Sequence, residues 1–227
     1  MGVEPSLAVD LRSGSPLPGS APSAGHGATA SGYSIVLPPG WRKIPVRSGA
    51  EKAIRAAVKE AFAVLPRDAP PDRVGPHRLE LERRLMKMAR EARGNGGIDL
   101  CLPVIPVYGA PLAASFIVSE LFLGQPADPA GIVALLTAGD DTTHPVTIDG
   151  AEGLRVERTG GPIPGKGVDS GSRRVDYVLA VPGNPDRWLA VAFSTLGAGD
   201  PDDQIAVLLT SLFDAMMSTF RWGWTKR

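Results

Sequence analysis

Apolar side chains alternate over residues 187–194. Leu189, Val191 and Phe193 fall on one face, and Trp188, Ala190, Ala192 and Ser194 on the other. A period of two predicts a strand; because the second face is small rather than charged, the strand is half-buried or covered on both sides. Gly197 and Gly199 break it. Asp200 then reads as a helix N-cap, with Pro201 at the first helical position and Asp202 and Asp203 in the first turn, where acids suit the helix dipole. Ile205, Leu208, Leu209, Leu212, Phe213, Met216, Met217 and Phe220 follow at helical spacing. The expectation is that all eight face a core, each gaining roughly 1.5–3 kcal/mol before entropy is subtracted.

The rest of the chain reads from its start as follows. Residues 1–31 are mostly Ser, Gly, Pro and Ala and are expected to form a flexible tail, although Leu7, Val9 and Leu11 alternate. A short strand over 33–36 runs into Leu37-Pro38-Pro39-Gly40-Trp41, where the Trp plugs one end of the core or, on the sharper reading, stacks on a ligand. A helix is predicted over 48–65, with Ser48 and Glu51 as a capping box, and a second over 77–92 after a proline-rich linker at 66–76. Strands are predicted over 98–108, where Pro103 and Pro106 imply an edge strand or one broken by a bulge, and over 113–123, with a short helix over 130–138. Two more strands, 145–149 and 153–158, join through Asp149-Gly150, a hairpin signal. After a loop over 160–171, a strand over 173–181 turns Val175, Tyr177, Leu179 and Val181 inward and returns into the strand at 187.

Consecutive antiparallel strands with helices early and late indicate an α+β fold, a sheet of about six to seven strands with helices packed on it. The βαβ spacing of a doubly wound nucleotide fold is absent. The expected division is a tail, 1–31, and one domain, 32–227, with a helical insertion over 48–93.

Composition changes this picture in three ways. Lys+Arg and Asp+Glu balance at 24 each, so no global field draws the protein to nucleic acid or to an anionic membrane. No run approaches the ~20 apolar residues of a membrane span. The N-terminus shows no basic region followed by an apolar one, so the expectation is a cytoplasmic protein, with the Ala/Gly/Pro/Arg/Asp-rich usage of a high-GC bacterium. Cys101 is the single cysteine; it excludes an intrachain disulfide and reads as a small core side chain.

The strand that enters Pro39-Gly40-Trp41, the antiparallel meander, the last helix and the closing Ser218-Thr219-Phe220-Arg221-Trp222 together resemble the PsbP-like α/β/α sandwich superfamily, in particular its LpqN-like actinobacterial branch. The resemblance spans about residues 32–224. It implies a scaffold that binds proteins and supplies no shared catalytic residues. Two features depart from the pattern: the longer helical stretch over 48–93, and the missing lipobox cysteine and signal peptide of the lipoprotein members.

Candidate chemistry is sparse. Gly160 to Gly167 has the Gly-x4-Gly-Lys spacing of a phosphate loop, but Gly167 stands where a Ser or Thr must hold magnesium, two prolines remove amides, and a strand follows where a helix should. His26, His77 and His144 are far apart, so no metal site and no cofactor are expected. The first functional expectation is therefore a non-catalytic protein-binding module: an adaptor, chaperone or secretion-system accessory. Its partner is another protein, met through the proline-containing strand as an edge (Leu102, Val104, Ile105, Val107) and through the basic face of the second helix (Arg83, Arg84, Lys87, Arg90). Homo-oligomerisation, by self-assembly through the same edge strand and the sandwich face, is a further expectation. The alternative is a small-molecule binder or hydrolase with its pocket near Trp41, Asp140, Asp141 and His144.

Overall fold

The computed structural model describes residues 29–64, 71–106, 111–122, 142–160, 171–196 and 200–224. The alternation at the end of the chain does what it predicts. Strand β8 (Arg187–Thr195) turns Leu189, Val191 and Phe193 into the main core, beneath helix α3 (Gln204–Ser218). Phe213 of α3 is the hub: its ring stacks on Phe193 at 4.8 Å and meets Phe116 at 5.5 Å and Tyr177 edge-on at 5.7 Å. Burial of this kind dominates the stability of a sheet-and-helix layer.

β8 lies inside a seven-stranded antiparallel sheet of order β2-β3-β4-β8-β7-β6-β5. Its members are β2 (Trp41–Pro45), β3 (Gly97–Pro103), β4 (Ala114–Phe122), β5 (Thr142–Ile148), β6 (Ala151–Gly160), β7 (Ser172–Ala180) and β8. Helices α1 (Ala50–Ala63) and α2 (Pro71–Gly94) pack on the face opposite α3, where Ile54, Val58, Leu85 and Ala89 meet Ile44, Leu100 and Ile117 in a second apolar cluster. That cluster reaches from β2 to β4. A separate ribbon joins β1 (Ala30–Ser34) to β9 (Arg221–Trp224), and Tyr33 of β1 stacks on Phe220 at 5.7 Å. The α+β architecture expected from the pattern is present, with helices on both faces of the sheet.

Asp149-Gly150 forms the expected two-residue hairpin between β5 and β6: both residues have positive φ, 47° and 79°. Such a turn matches the strand twist, and its two left-handed positions favour Asp and Gly. The Asp149 carboxylate also accepts the backbone N–H of Trp222 at 2.7 Å, fastening the β1–β9 ribbon to this hairpin.

Several expectations need correction. The helix cap at the chain's end is Asp203, whose carboxylate accepts the Ala206 N–H at 2.6 Å; Asp200 instead accepts from Asp202 in a turn outside the helix. Of the eight residues expected to face the core, Leu209, Phe213, Met216, Met217 and Phe220 are buried and Leu212 is partly so, but Ile205 and Leu208 are exposed at 51% and 61%, and Ala206 and Thr210 are buried in the first turns instead. The Ser48–Glu51 capping box does not form: Gly49 is the N-cap residue, and no side chain bonds the first turn. α2 begins at Pro71, within the stretch read as a linker, and carries Pro76 inside it; a proline at the first helical position costs no hydrogen bond. Ala30 and Ser31, expected in the tail, belong to β1: Ala30 pairs with Trp224 of β9, and Ser31 sits at the register shift that follows. The helix expected at 130–138, the phosphate-loop-like stretch after Gly160 and residues 1–28 lie outside the described residues.

Candidate functional site

The proline-containing strand is not an edge. β3 pairs with β2 on one side and β4 on the other, and it ends at Pro103 before Pro106 is reached. A proline at a strand end costs the ladder little, which is why β2 can still pair across Trp41 and Pro103. Leu102 and Val104 pack against the second apolar cluster, and the Val104 and Ile105 amides both donate to the Gly40 carbonyl. Val107 lies outside the described residues. The basic face of α2 is exposed but largely paired within the helix: Arg83 and Arg84 both reach Glu80, and Lys87 faces Glu91 at 3.8 Å. Arg90 is exposed on the same helix.

The alternative constellation also comes apart. Trp41 is buried in β2, its ring 5.9 Å from Phe116, whereas His144 is exposed in β5. β2 and β5 are the two opposite edges of the sheet, six strand spacings or roughly 29 Å apart. Trp41 and His144 therefore share no pocket. Asp140 and Asp141 lie outside the described residues.

What the fold does build is a pocket of about 540 Å³ over β5 to β8, on the sheet face opposite α3. Register explains it. Thr147 pairs with Glu152, Gly153 with Leu179 and Ala180 with Trp188, so Thr147, Glu152, Ala180 and Trp188 form one row across four strands. The neighbouring row is Pro145, Leu154, Val178 and Ala190. Side chains in such rows stand side by side on one face. The small Ala180 leaves a gap between the Trp188 indole and Glu152, and Pro145 and Leu154 close the side of the gap. Trp188 is only 6% exposed, and its indole Nε1 is buried without a hydrogen-bond partner among the described residues. An unsatisfied buried donor costs about 1–3 kcal/mol, and Trp at such a position is unusual unless its polar tip is used. Trp188 was the odd bulky residue on an otherwise small strand face, and that oddity is the sequence signal for this pocket.

The strongly perturbed titratable groups lie elsewhere. Burial alone would raise the Glu120 carboxyl, but hydrogen bonds from Arg47 (2.7 Å) and Arg187 (2.8 Å) outweigh it and hold it below the usual carboxylate range. Glu157, between Arg155 and Arg173, is lowered in the same way against its own burial. Arg155 also forks onto Asp214 of α3 at 3.0 Å with both nitrogens, and Tyr177 donates its hydroxyl to the same carboxylate at 2.8 Å. Burial, then the hydrogen bond to Asp214, raises the Tyr177 hydroxyl. Tyr33 donates to Asp99, and burial followed by that bond raises its hydroxyl too. Burial pushes the Cys101 thiol up to about 12, with the nearby Asp99 charge adding to the shift; a thiol so placed is a poor nucleophile. Among the described residues no group of three or more His, Cys, Asp or Glu could hold a metal ion, and no helix is long and apolar enough to cross a membrane.

No protein family and no curated protein matches the chain. Among solved structures, the chain is similar to LpqN of Mycobacterium tuberculosis, described as involved in cell envelope biogenesis, at 12% identity over 87% of each chain with a TM-score of 0.44. At that level of likeness nothing is carried from that protein to this one.

Proposed function

We propose that this protein is a non-catalytic binding module whose ligand is a small, predominantly apolar molecule held on the sheet face over β5 to β8. The pocket carries this reading: its volume, about 540 Å³, lies in the range of small-molecule sites, and its floor and walls (Ala180, Leu154, Pro145, Trp188) are apolar. The non-catalytic part is supported by where the shifted groups sit. Glu120, Glu157, Arg155, Tyr177 and Tyr33 are closed into ion pairs or hydrogen bonds on other parts of the fold, and Cys101 is buried in the core. Octanol is a suitable neutral probe, followed by isothermal titration calorimetry. Saturable binding that Ala180→Leu removes, with the far-ultraviolet spectrum unchanged, supports the pocket. Binding unaffected by Ala180→Leu, or no binding, counts against it.

A second reading, a protein partner, is favoured by α3. Asp214 is the helix's one charged residue, and Arg155 and Tyr177 engage it from beneath. The outward surface is left uncharged, with Ile205, Val207 and Leu208 exposed. A charge-free face fits an identical face without needing a complement, so the partner on this reading is a second copy of the chain. Light scattering across a concentration series tests it: a dimer that Leu208→Lys dissolves supports it, and a monomer at all concentrations excludes it.

A further inference from the structure

We infer that the ligand of the pocket is an amphipathic organic cation, an amine or quaternary ammonium carrying an apolar body. This rests on the reading of the pocket as a small-molecule site and adds its charge. Among the described lining residues Glu152 is the one formally charged side chain, and it is exposed at the rim. No lysine or arginine shares its row, whose other members are Thr147, Ala180 and Trp188. The nearest basic residues along the strand are committed elsewhere. Arg155 is turned to the opposite face onto Asp214 and Glu157, and Arg158 pairs with Asp176 at 2.9 Å.

The row fixes the spacing. Glu152 and Trp188 stand two strand spacings apart, ~10 Å between backbones. An ammonium between them can lie within about 6 Å of the indole centroid, where the ring's electron-rich face attracts it. An ammonium there can also approach the Glu152 carboxylate, and opposite charges attract more strongly in a partly dry pocket than in water. Below it, Ala180 leaves space and Leu154 and Pro145 give apolar contact for a hydrocarbon body. A carboxylate or phosphate ligand meets repulsion from Glu152, with no lysine or arginine among the described lining residues to offset it.

The test is titration calorimetry of the full chain at low salt with octyltrimethylammonium, octanol and octanoate, each below its micelle concentration. The ammonium is expected to bind at least about tenfold more tightly than octanol, and octanoate more weakly than octanol. Glu152→Gln is expected to bring the ammonium to within about threefold of octanol while leaving octanol itself unchanged. Octanoate binding as tightly as the ammonium, or discrimination that survives Glu152→Gln, overturns the cationic class while octanol binding keeps the pocket. Failure of all three probes overturns both.

Discussion

Gly153 of β6 is a position where a single added methyl group collides with backbone. A Cβ built there lies 2.3 Å from the Val178 carbonyl oxygen, 2.7 Å from Leu179 Cδ2 and 3.1 Å from Leu179 Cα. The leucine methyl can rotate away, but the carbonyl cannot. Val178 belongs to β7, which is laddered to β6 on one side and to β8 on the other, so moving it strains two sets of hydrogen bonds. Overpacking a well-filled site costs about 1–3 kcal/mol, and a backbone obstacle puts Gly153→Ala at the upper end. The stiffer unfolded chain of alanine returns about 0.5–1 kcal/mol, leaving a net loss of about 2 kcal/mol. For a chain of this size that is a fall in melting temperature of roughly 4–8 °C. Urea unfolding followed by far-ultraviolet circular dichroism measures it, with the slope against urea unchanged. Gly32→Ala is the control: no atom lies within 4 Å of its added Cβ, and stability should stay within about 0.5 kcal/mol. A midpoint for Gly153→Ala at or above that of the parent protein refutes the packing argument.

Three further outcomes follow from named contacts. Asp203→Ala should lose about 1 kcal/mol, because its carboxylate caps Ala206, and Asp200→Ala less than half of that, since it holds only a turn; chemical unfolding ranks the two. Cys101 should resist a disulfide reagent such as 5,5′-dithiobis(2-nitrobenzoate) at pH 8 in the folded protein and react fully in guanidinium, since burial holds its thiol up to about 12; prompt native labelling contradicts the burial. Glu120→Gln should cost roughly 1–3 kcal/mol at pH 7 through the weakened Arg47 and Arg187 bonds. The folded carboxyl sits below its unfolded value of about 4.3, so this stability is present above that pH and disappears as pH falls through the lower folded value. The gap between Glu120→Gln and the parent must therefore narrow on acidification, and a gap that is constant from pH 7 to 3 removes the charge explanation.

How much of this was legible in the chain depended on element length. β8, β7 and the Asp149-Gly150 hairpin were readable because their alternation runs over many residues or their turn demands positive φ. β2 and β9 were not: Trp41-Arg-Lys-Ile-Pro and Arg-Trp-Gly-Trp are five and four residues long, too short for a period to emerge, and their strand state comes from partners distant in sequence. Pro103 and Pro106 made β3 look like an edge, but the strand ends at Pro103, and β2 pairs along its far side. α3 was predicted as a helix with its cap and first turn misplaced: Leu209, Phe213, Met216, Met217 and Phe220 are buried as expected, whereas Ile205 and Leu208 are not. Asp200-Pro201 offers a cap signal as good as Asp203's, and a helix apolar on nearly every side gives its pattern little power to choose the buried stripe. The pocket depends on register across four strands. From a single strand only the oddity of Trp188 among alanines could point to it.

The two faces of the sheet divide the work in a way that bears on function. Apart from Glu80, exposed on α2, the groups whose protonation is shifted lie in the ribbon or on the α3 side of the sheet: Tyr33, Cys101, Glu120, Arg155, Glu157 and Tyr177. There they fasten elements distant in sequence. Glu120 joins the end of β4 to Arg47 after β2 and Arg187 at the start of β8, Asp214 ties α3 to β6 and β7, and Asp99 ties β1 to β3. Perturbed groups often mark active sites, but groups with every partner supplied by the fold have nothing left to offer a substrate. The pocket across the sheet has the opposite character. It has space, an aromatic wall and one rim carboxylate, and its recognition must come from shape and a single charge. On the reading proposed above, raising salt should weaken the site's preference for a cation while leaving its grip on the apolar body unchanged.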